Sequence, residues 1–185
     1  MDKLKEQELI KKCQEEDLDN FGLLYDAYIE KIFNFIYYRT SSQEVAEDLT
    51  SQTFFKALKN ISKFQGQYFS AWLFRIARNT VIDHYRTSRP VEDIDNFTDL
   101  KAFKDLEKET DDKELLSEVK KALEFLKPEQ KEIVIMRVWD ELSYKEIAEI
   151  TGKSEANCKM IFSRVVNSLR HKVSFPAILF LLFSL

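Results

Sequence analysis

The sequence predicts an all-α fold of two small helical domains, and three observations carry that prediction. The 185 residues include only 3 Gly and 3 Pro, too few for the many tight turns of an all-β fold. Apolar residues recur at spacings of three and four through most of the chain, the mark of helices with one buried face. Between two such regions, residues 91–111 show weak periodicity and many acids, which reads as a linker. Hydrophobic residues make up 44% and charged residues 32%, a soluble globular balance. The predicted organisation is a first domain over 1–90, an acidic linker over 91–111, a second domain over 112–172 and a short apolar tail over 173–185.

Residues 4 to about 38 read as helix. Leu9, Ile10 and Cys13 form a short apolar stripe, and Phe21, Leu24, Tyr25, Tyr28, Ile32, Phe35 and Ile36 continue the helical period. Ser41 to Glu44 is a capping-box pattern, opening a helix that turns Val45, Leu49, Phe54 and Leu58 inward. Phe64-Gln65-Gly66-Gln67 breaks the pattern and predicts a loop. A helix from Phe69 or Ser70 to about Ser88 covers one side with Trp72, Leu73, Ile76, Ala77 and Val81, and Pro90 ends it. Four further helices are expected at about 112–126, 128–139, 143–150 and 154–172, with Pro128 at a first turn.

The net charge of -4 does not announce a nucleic-acid partner, but DNA responds to local patches rather than to the sum. Lys56 to Arg89 carries seven cations against Asp83 alone, while Glu92 to Glu114 is dominated by acids. The 2 Cys, Cys13 and Cys158, lie far apart, which argues against a disulfide framework or zinc site and fits a reducing cytosol. The 2 His are isolated, and no nucleophile motif or Gly-rich phosphate loop is present. The chain is therefore expected to be no enzyme and to need no cofactor. Its first residues do not form a signal peptide.

Leu142 to Arg170 is the strongest local signal. Ser143-Tyr144-Lys145-Glu146 is a second capping box. Ile147, Ala148 and Ile150 give a short helix its buried side, Gly152 supplies the turn, and Ser154 caps a second helix. That second helix buries Cys158, Ile161, Phe162, Val165 and Leu169. This is a helix-turn-helix, whose second helix enters the major groove with its N-terminal residues at the base edges. Ser154, Glu155, Asn157, Lys159 and Arg164 are the candidate contacts; a plain helical hairpin is the alternative. A second signal is Trp72 to Arg86, where cations and aromatics interleave on one helix. Such a surface can pair Arg with phosphates and stack rings on unpaired bases, or be an ordinary core face with solvated arginines behind it.

Taken in order, Phe21–Tyr25, Ala46–Phe54, Trp72–Arg86, Leu126–Gln130 and Leu142–Arg170 resemble the extracytoplasmic-function class of sigma-70 family sigma factors. The resemblance implies a sigma-2 helical bundle that binds the polymerase β′ coiled coil and opens the −10 element. It implies a sigma-4 helix-turn-helix that binds the −35 element and the β flap. By the same resemblance Asp48, Gln52 and Phe55 fall in the polymerase-binding helix. Gln65, Gly66, Gln67 and Tyr68 fall in a rather short loop that captures a flipped −10 base, and Arg75, Arg78, Asn79 and Arg86 on the helix that holds the melted strand. Ile161 and Val166 stand where family members often carry Arg, so weaker and less salt-dependent −35 binding is expected. No autoinhibitory extension before sigma-2 and no sigma-3 domain are recognised. The expected partners are core RNA polymerase, promoter DNA and an anti-sigma factor, a membrane-bound one included; the expected location is the cytoplasm. The acidic linker is either a mimic of nucleic-acid charge or a soluble tether.

The tail, Ser174 to Leu185, is almost purely apolar and too short to span a bilayer, which takes roughly 20 residues. It is expected to dock on sigma-4 or a partner; membrane contact and the start of a truncated membrane segment are the alternatives. The competing function is a stand-alone helix-turn-helix regulator, which would need a dimerisation surface or a sensory domain that the first ninety or so residues do not suggest.

Overall fold

The computed structural model describes residues 2–15, 17–40, 42–88 and 125–170, with 118 and 123 as single helical positions. The linker, most of the helix expected over 112–126 and the tail lie outside the described residues. The regular elements are helices: α1 (Lys3–Gln14), α2 (Phe21–Thr40), α3 (Gln43–Asn60), α4 (Phe69–Ser88), α5 (Pro128–Val138), α6 (Tyr144–Thr151) and α7 (Glu155–Leu169), with 3-10 turns at Leu18–Asn20 and Ile61–Lys63.

The single helix expected from 4 to 38 is two. Glu15 closes α1 by donating its N–H to Lys11 and Lys12 carbonyls, both at 3.1 Å. Asp17 then leaves helical space (φ −82, ψ 72), and the Asn20 amide donates back to the Asp17 carbonyl at 3.4 Å. Asp and Asn compete for local backbone in this way and so break helices. The cap of α3 falls one residue later than expected: Ser42, in extended conformation, accepts from the Val45 N–H. Among the described residues the other helices begin within one residue of their expected starts. Pro128 opens α5, and Gln130 accepts from the Lys127 N–H at 3.1 Å.

In the first half α2, α3 and α4 pack together and α1 lies across α2. Their shared core holds Leu24, Ile32, Phe35 and Ile36, then Ala46, Leu49 and Ala57, then Leu73, Phe74, Ala77 and Val81. Phe35 and Phe74 meet edge to face at 5.1 Å, geometry that adds about 0.5–1.5 kcal/mol beyond burial. In the second half α5, α6 and α7 enclose Ile133, Val134, Met136, Ile147, Cys158, Val165 and Leu169.

The two halves are packed on each other, α4 against α6. Their apolar interiors run together: Ile133, Met136, Leu142, Ile147 and Ile150 join the cluster that contains Phe35 and Phe74. Charge contacts cross the same boundary. Arg39 and Asp140, each 1% exposed at the side chain, meet at 3.4 Å. The guanidinium lies 3.5 Å from the centroid of the Phe35 ring and donates to the Phe35 carbonyl at 2.7 Å. Arg78 forks onto Glu132 at 2.6 and 3.3 Å. Ser70 donates to Glu146, the carboxylate that also closes the Ser143 capping box.

Candidate nucleic-acid and polymerase interfaces

The helix-turn-helix of α6 and α7 is assembled from local chemistry. Ser143 and Glu146 cap each other's backbone at the start of α6. Gly152 ends it at φ 73 and donates to the Ala148 carbonyl at 2.9 Å, a left-handed position that a side chain would strain. Ser154 caps α7 by accepting from the Asn157 N–H at 3.2 Å. Cys158, Val165, Val166 and Leu169 are buried, and Ile161 and Phe162 are half-buried beside them. Val166 therefore serves the core. On the other side Lys159 and Arg164 are exposed and Glu155 and Asn157 half-exposed, with exposed Ala156 and Met160 between them. Lys159 and Glu155 pair at 2.6 Å; this hydrogen bond holds the Glu155 carboxyl below its usual range. Met160 is 44% exposed and was missed in the sequence, because apolar residues at helical spacing read as core.

The second site is built between α3 and α4. Lys56, Asn60 and Lys63 from α3 and its terminal turn face Trp72, Ile76, Asn79 and Asp83 of α4 across a groove of about 450 Å³. Cations, an aromatic ring and an amide in one groove fit a nucleic-acid strand, with phosphate on the lysines and a base on the ring. Of the residues expected here, Asn79 lines the groove. Arg86 is exposed toward the end of α4. Arg78 is turned to Glu132, and exposed Arg75 donates to the Glu149 carbonyl at 2.6 Å. Lys56, Asn60 and Lys63 are the additional lining, signalled by the basic run that begins at Lys56, while Trp72 belongs to the interleaved stretch Trp72–Arg86.

The loop that follows is anchored by Phe64, which is buried and packs on Phe69 and Trp72 at 5.7 and 5.1 Å. Gln65, Gly66 and Gln67 are exposed, and Tyr68 is half-buried under the Lys3 ammonium, 4.9 Å from its ring centroid. Gly66 is required by close approach. A Cβ there would lie 2.7 Å from the Phe64 ring, which its neighbours hold in place.

The third surface is the outer side of α3. Asp48, Gln52 and Phe55 are exposed in a row, opposite buried Leu49, Thr53 and Ala57. Gln52 donates to Asp48 at 2.9 Å. Phe55 is 55% exposed and carries the Lys59 ammonium 4.3 Å from its centroid. A large exposed ring beside a carboxylate suits a partner's side chains better than it suits water. Leu23, also exposed, was not singled out by the sequence; Tyr25, placed there on the buried face, is 40% exposed, with its ring 4.7 Å from that of Phe54. Among the described residues no group of His, Cys, Asp and Glu could hold a metal ion. No helix among them is long and apolar enough to cross a membrane.

The Sigma-70 region 2 family model matches residues 24–90, and the Sigma-70, region 4 model matches residues 116–169. The chain is 39% identical over 168 residues to the ECF RNA polymerase sigma factor BldN of Streptomyces coelicolor, covering 88% of this chain and 63% of that protein. It is 35% identical over 145 residues to the RNA polymerase sigma factor YlaC of Bacillus subtilis, covering 74% of this chain and 82% of YlaC. The ECF RNA polymerase sigma factor SigW of Bacillus subtilis is 28% identical over 176 residues, with 89% and 94% covered. Two solved structures share the fold. CnrH in complex with the cytosolic domain of CnrY matches with a TM-score of 0.63 at 19% identity, covering 88% of this chain and 93% of CnrH. The sigma factor RpoE of Bartonella quintana, in complex with the anti-sigma factor NepR, matches at 0.56 and 24% identity, covering 82% and 95%.

Proposed function

Because the chain belongs to the extracytoplasmic-function class of sigma-70 family RNA polymerase sigma factors, we propose that it is a bacterial transcription initiation factor, not an enzyme, which binds core polymerase and directs it to promoters with a −10 and a −35 element. The observation that carries the reading is the pairing, on one chain, of a cation-and-aromatic groove at α3 and α4 with a capped helix-turn-helix whose second helix exposes Lys159, Met160 and Arg164. The first half, 1–90, takes the melted −10 strand. Gln65, Gly66, Gln67 and Tyr68 read a flipped base, and Arg75, Arg78, Asn79 and Arg86 hold the backbone together with Lys56, Lys63 and Trp72. The second half, 112–172, takes the −35 element through Ser154, Glu155, Asn157, Lys159 and Arg164. Asp48, Gln52 and Phe55 dock on the polymerase β′ coiled coil, and the second half docks on the β flap. The segment 91–111 sets the reach between the halves, so that each DNA contact gains from the other's tethering. Promoter DNA and polymerase place the protein in the cytoplasm.

An anti-sigma factor is the further partner of this proposal. RpoE is found with the anti-sigma factor NepR, and CnrH with the cytosolic domain of CnrY, which supports a partner able to sit at the membrane. The apolar segment 173–185 docks on the second half or on that partner.

Run-off transcription with bacterial core polymerase on a promoter library tests the reading. Selective initiation at a shared −10/−35 pair that depends on the protein is the expected result. No stimulation, together with tight sequence-specific binding by the protein alone, would replace it with a stand-alone regulator.

A further inference from the structure

The loop Gln65–Tyr68 is held from outside the residues matched to region 2. Gln14, the last residue of α1, is half-buried. Its amide nitrogen donates to the Phe64 carbonyl at 2.7 Å and to the Ile61 carbonyl at 3.3 Å. Those carbonyls bracket the 3-10 turn Ile61–Lys63 by which the chain leaves α3. The Ile61 carbonyl already accepts from the Phe64 N–H at 3.0 Å and takes Gln14 as a second donor on its other lone pair, and a primary amide has two N–H groups to give. Gln14 thus staples both ends of the turn to α1. The staple fixes the direction in which Phe64 departs, in extended conformation (φ −68, ψ 122). Gly66 then lies against the Phe64 ring, so the path of the next residues depends on where Phe64 is held. A second tie from α1, Lys3 over Tyr68, fastens the far end of the loop. Between them a cleft of about 200 Å³ separates Gln7, Lys11 and Gln14 from Phe64 to Gln67.

We infer that Gln14 is a positioning residue for base selection: by bridging the Ile61 and Phe64 carbonyls it holds the loop Gln65–Tyr68 in the shape that reads the −10 element. The inference rests on the proposal that this loop reads that element, and the test separates the two. Full-length protein with core polymerase is assayed on two promoter libraries, one randomised at −10 and one at −35. The variants are Gln14→Met, which keeps length but donates nothing, and Gln67→Ala within the loop.

Gln14→Met is expected to lower discrimination among −10 sequences by about 5- to 10-fold, the scale of two lost hydrogen bonds, and to leave −35 preference unchanged. Amide exchange of residues 64–68 should quicken, with the melting temperature falling by no more than a few degrees, about what two hydrogen bonds cost. If Gln67→Ala alters −10 preference and Gln14→Met does not, the inference falls and the loop's role stands. If neither alters it, the loop does not read the −10 element and both fall. If Gln14→Met weakens −10 and −35 preference together and lowers the melting temperature, Gln14 serves stability and the inference falls. Gln14→Glu, which keeps the shape but opposes a carboxylate to two carbonyls, repeats the test should Gln14→Met melt early.

Discussion

The two regions proposed to meet DNA hold their cations in different ways. In the first half, Arg78 on α4 gives two nitrogens to Glu132 on α5, and Arg75 gives one to a carbonyl of α6. In the second half, Lys159 on α7 pairs with Glu155 one turn back on its own helix. The first half's arginines are therefore engaged across the boundary between the halves, whereas the second half's lysine is engaged locally. If α4 takes the −10 strand as proposed, that strand must displace Glu132 to reach Arg78. By the same proposal a −35 duplex need only part Lys159 from Glu155, one turn away on the same helix. The consequence is an asymmetry: separating the halves should free the −10 surface and leave the −35 surface much as it was.

The sharpest test is to remove the buried pair at that boundary. Arg39→Met leaves Asp140 buried without its cation, which costs about 3–5 kcal/mol when a pair is this fully desolvated. Chemical denaturation at pH 7.5 reads the loss. Arg39→Met with Asp140→Leu should recover most of it, because two apolar side chains carry no desolvation penalty. Burial, against the pull of Arg39, pushes the Asp140 carboxyl up to about 6 from an ordinary value of 3.8. Between those values the folded chain binds the proton and the unfolded chain does not. The contribution of protonated Asp140 is then complete below the lower value and lost as pH rises through the upper one. Wild-type stability should fall from pH 4 to pH 6.5 relative to Asp140→Asn, in which this proton is absent. Equal slopes would show that the pair does not titrate in the window.

A smaller effect follows from Glu132→Gln. Both side chains are partly exposed, Arg78 at 28% and Glu132 at 12%, so solvent screens the pair and its release is worth about 1 kcal/mol. That is roughly a 5-fold gain in affinity for a single-stranded −10 oligonucleotide, measured by fluorescence anisotropy with the full chain. Affinity for a −35 duplex should stay within about 2-fold. A matching gain on both ligands would break the asymmetry, since it would mean that the halves open and close as one.

How much of this was legible in the sequence depends on how local each cause is. The helix-turn-helix was readable because its punctuation sits at the ends of its own helices: the Ser143–Glu146 box, the left-handed Gly152 and the Ser154 cap. The row Asp48, Gln52, Phe55, proposed to face polymerase, was reached through a family resemblance, and its exposure is what a four-then-three spacing on a helix produces. The break between α1 and α2 was missed because the apolar period continues across it while Asp17 and Asn20 bend the backbone. The pairs Arg39–Asp140 and Arg78–Glu132 are 101 and 54 residues apart. Opposite charges at such separations leave no periodic trace, so the packing of the halves could not be read ahead of the structure. Gln14 was invisible for the same reason, its partners being backbone carbonyls 47 and 50 residues away.

The smallest expected effect lies on α7. Glu155→Gln removes the carboxylate that Lys159 now meets, leaving an amide of the same shape at the first turn of the helix. Exposed pairs of this kind contribute little, because solvent and salt screen them, so freeing Lys159 should move −35 affinity by only about 2-fold at moderate salt, while loss of the Glu155 contact itself should show as altered preference at one −35 position. The salt dependence is the more telling readout. Each phosphate neutralised by a lysine releases condensed counterion and steepens the slope of log affinity against log salt by about 0.9. If Lys159 reaches a phosphate, Lys159→Ala should flatten that slope by about one and Glu155→Gln should leave it as it is, since the lysine makes the same contact in both. If Lys159 instead reads a base edge, Lys159→Ala should change sequence preference at one −35 position with little change in slope. Either outcome leaves the α4 arginines untouched, because no contact of Lys159 or Glu155 crosses to α4 among the described residues; a change in −10 affinity on mutating α7 would show that the two surfaces are coupled after all.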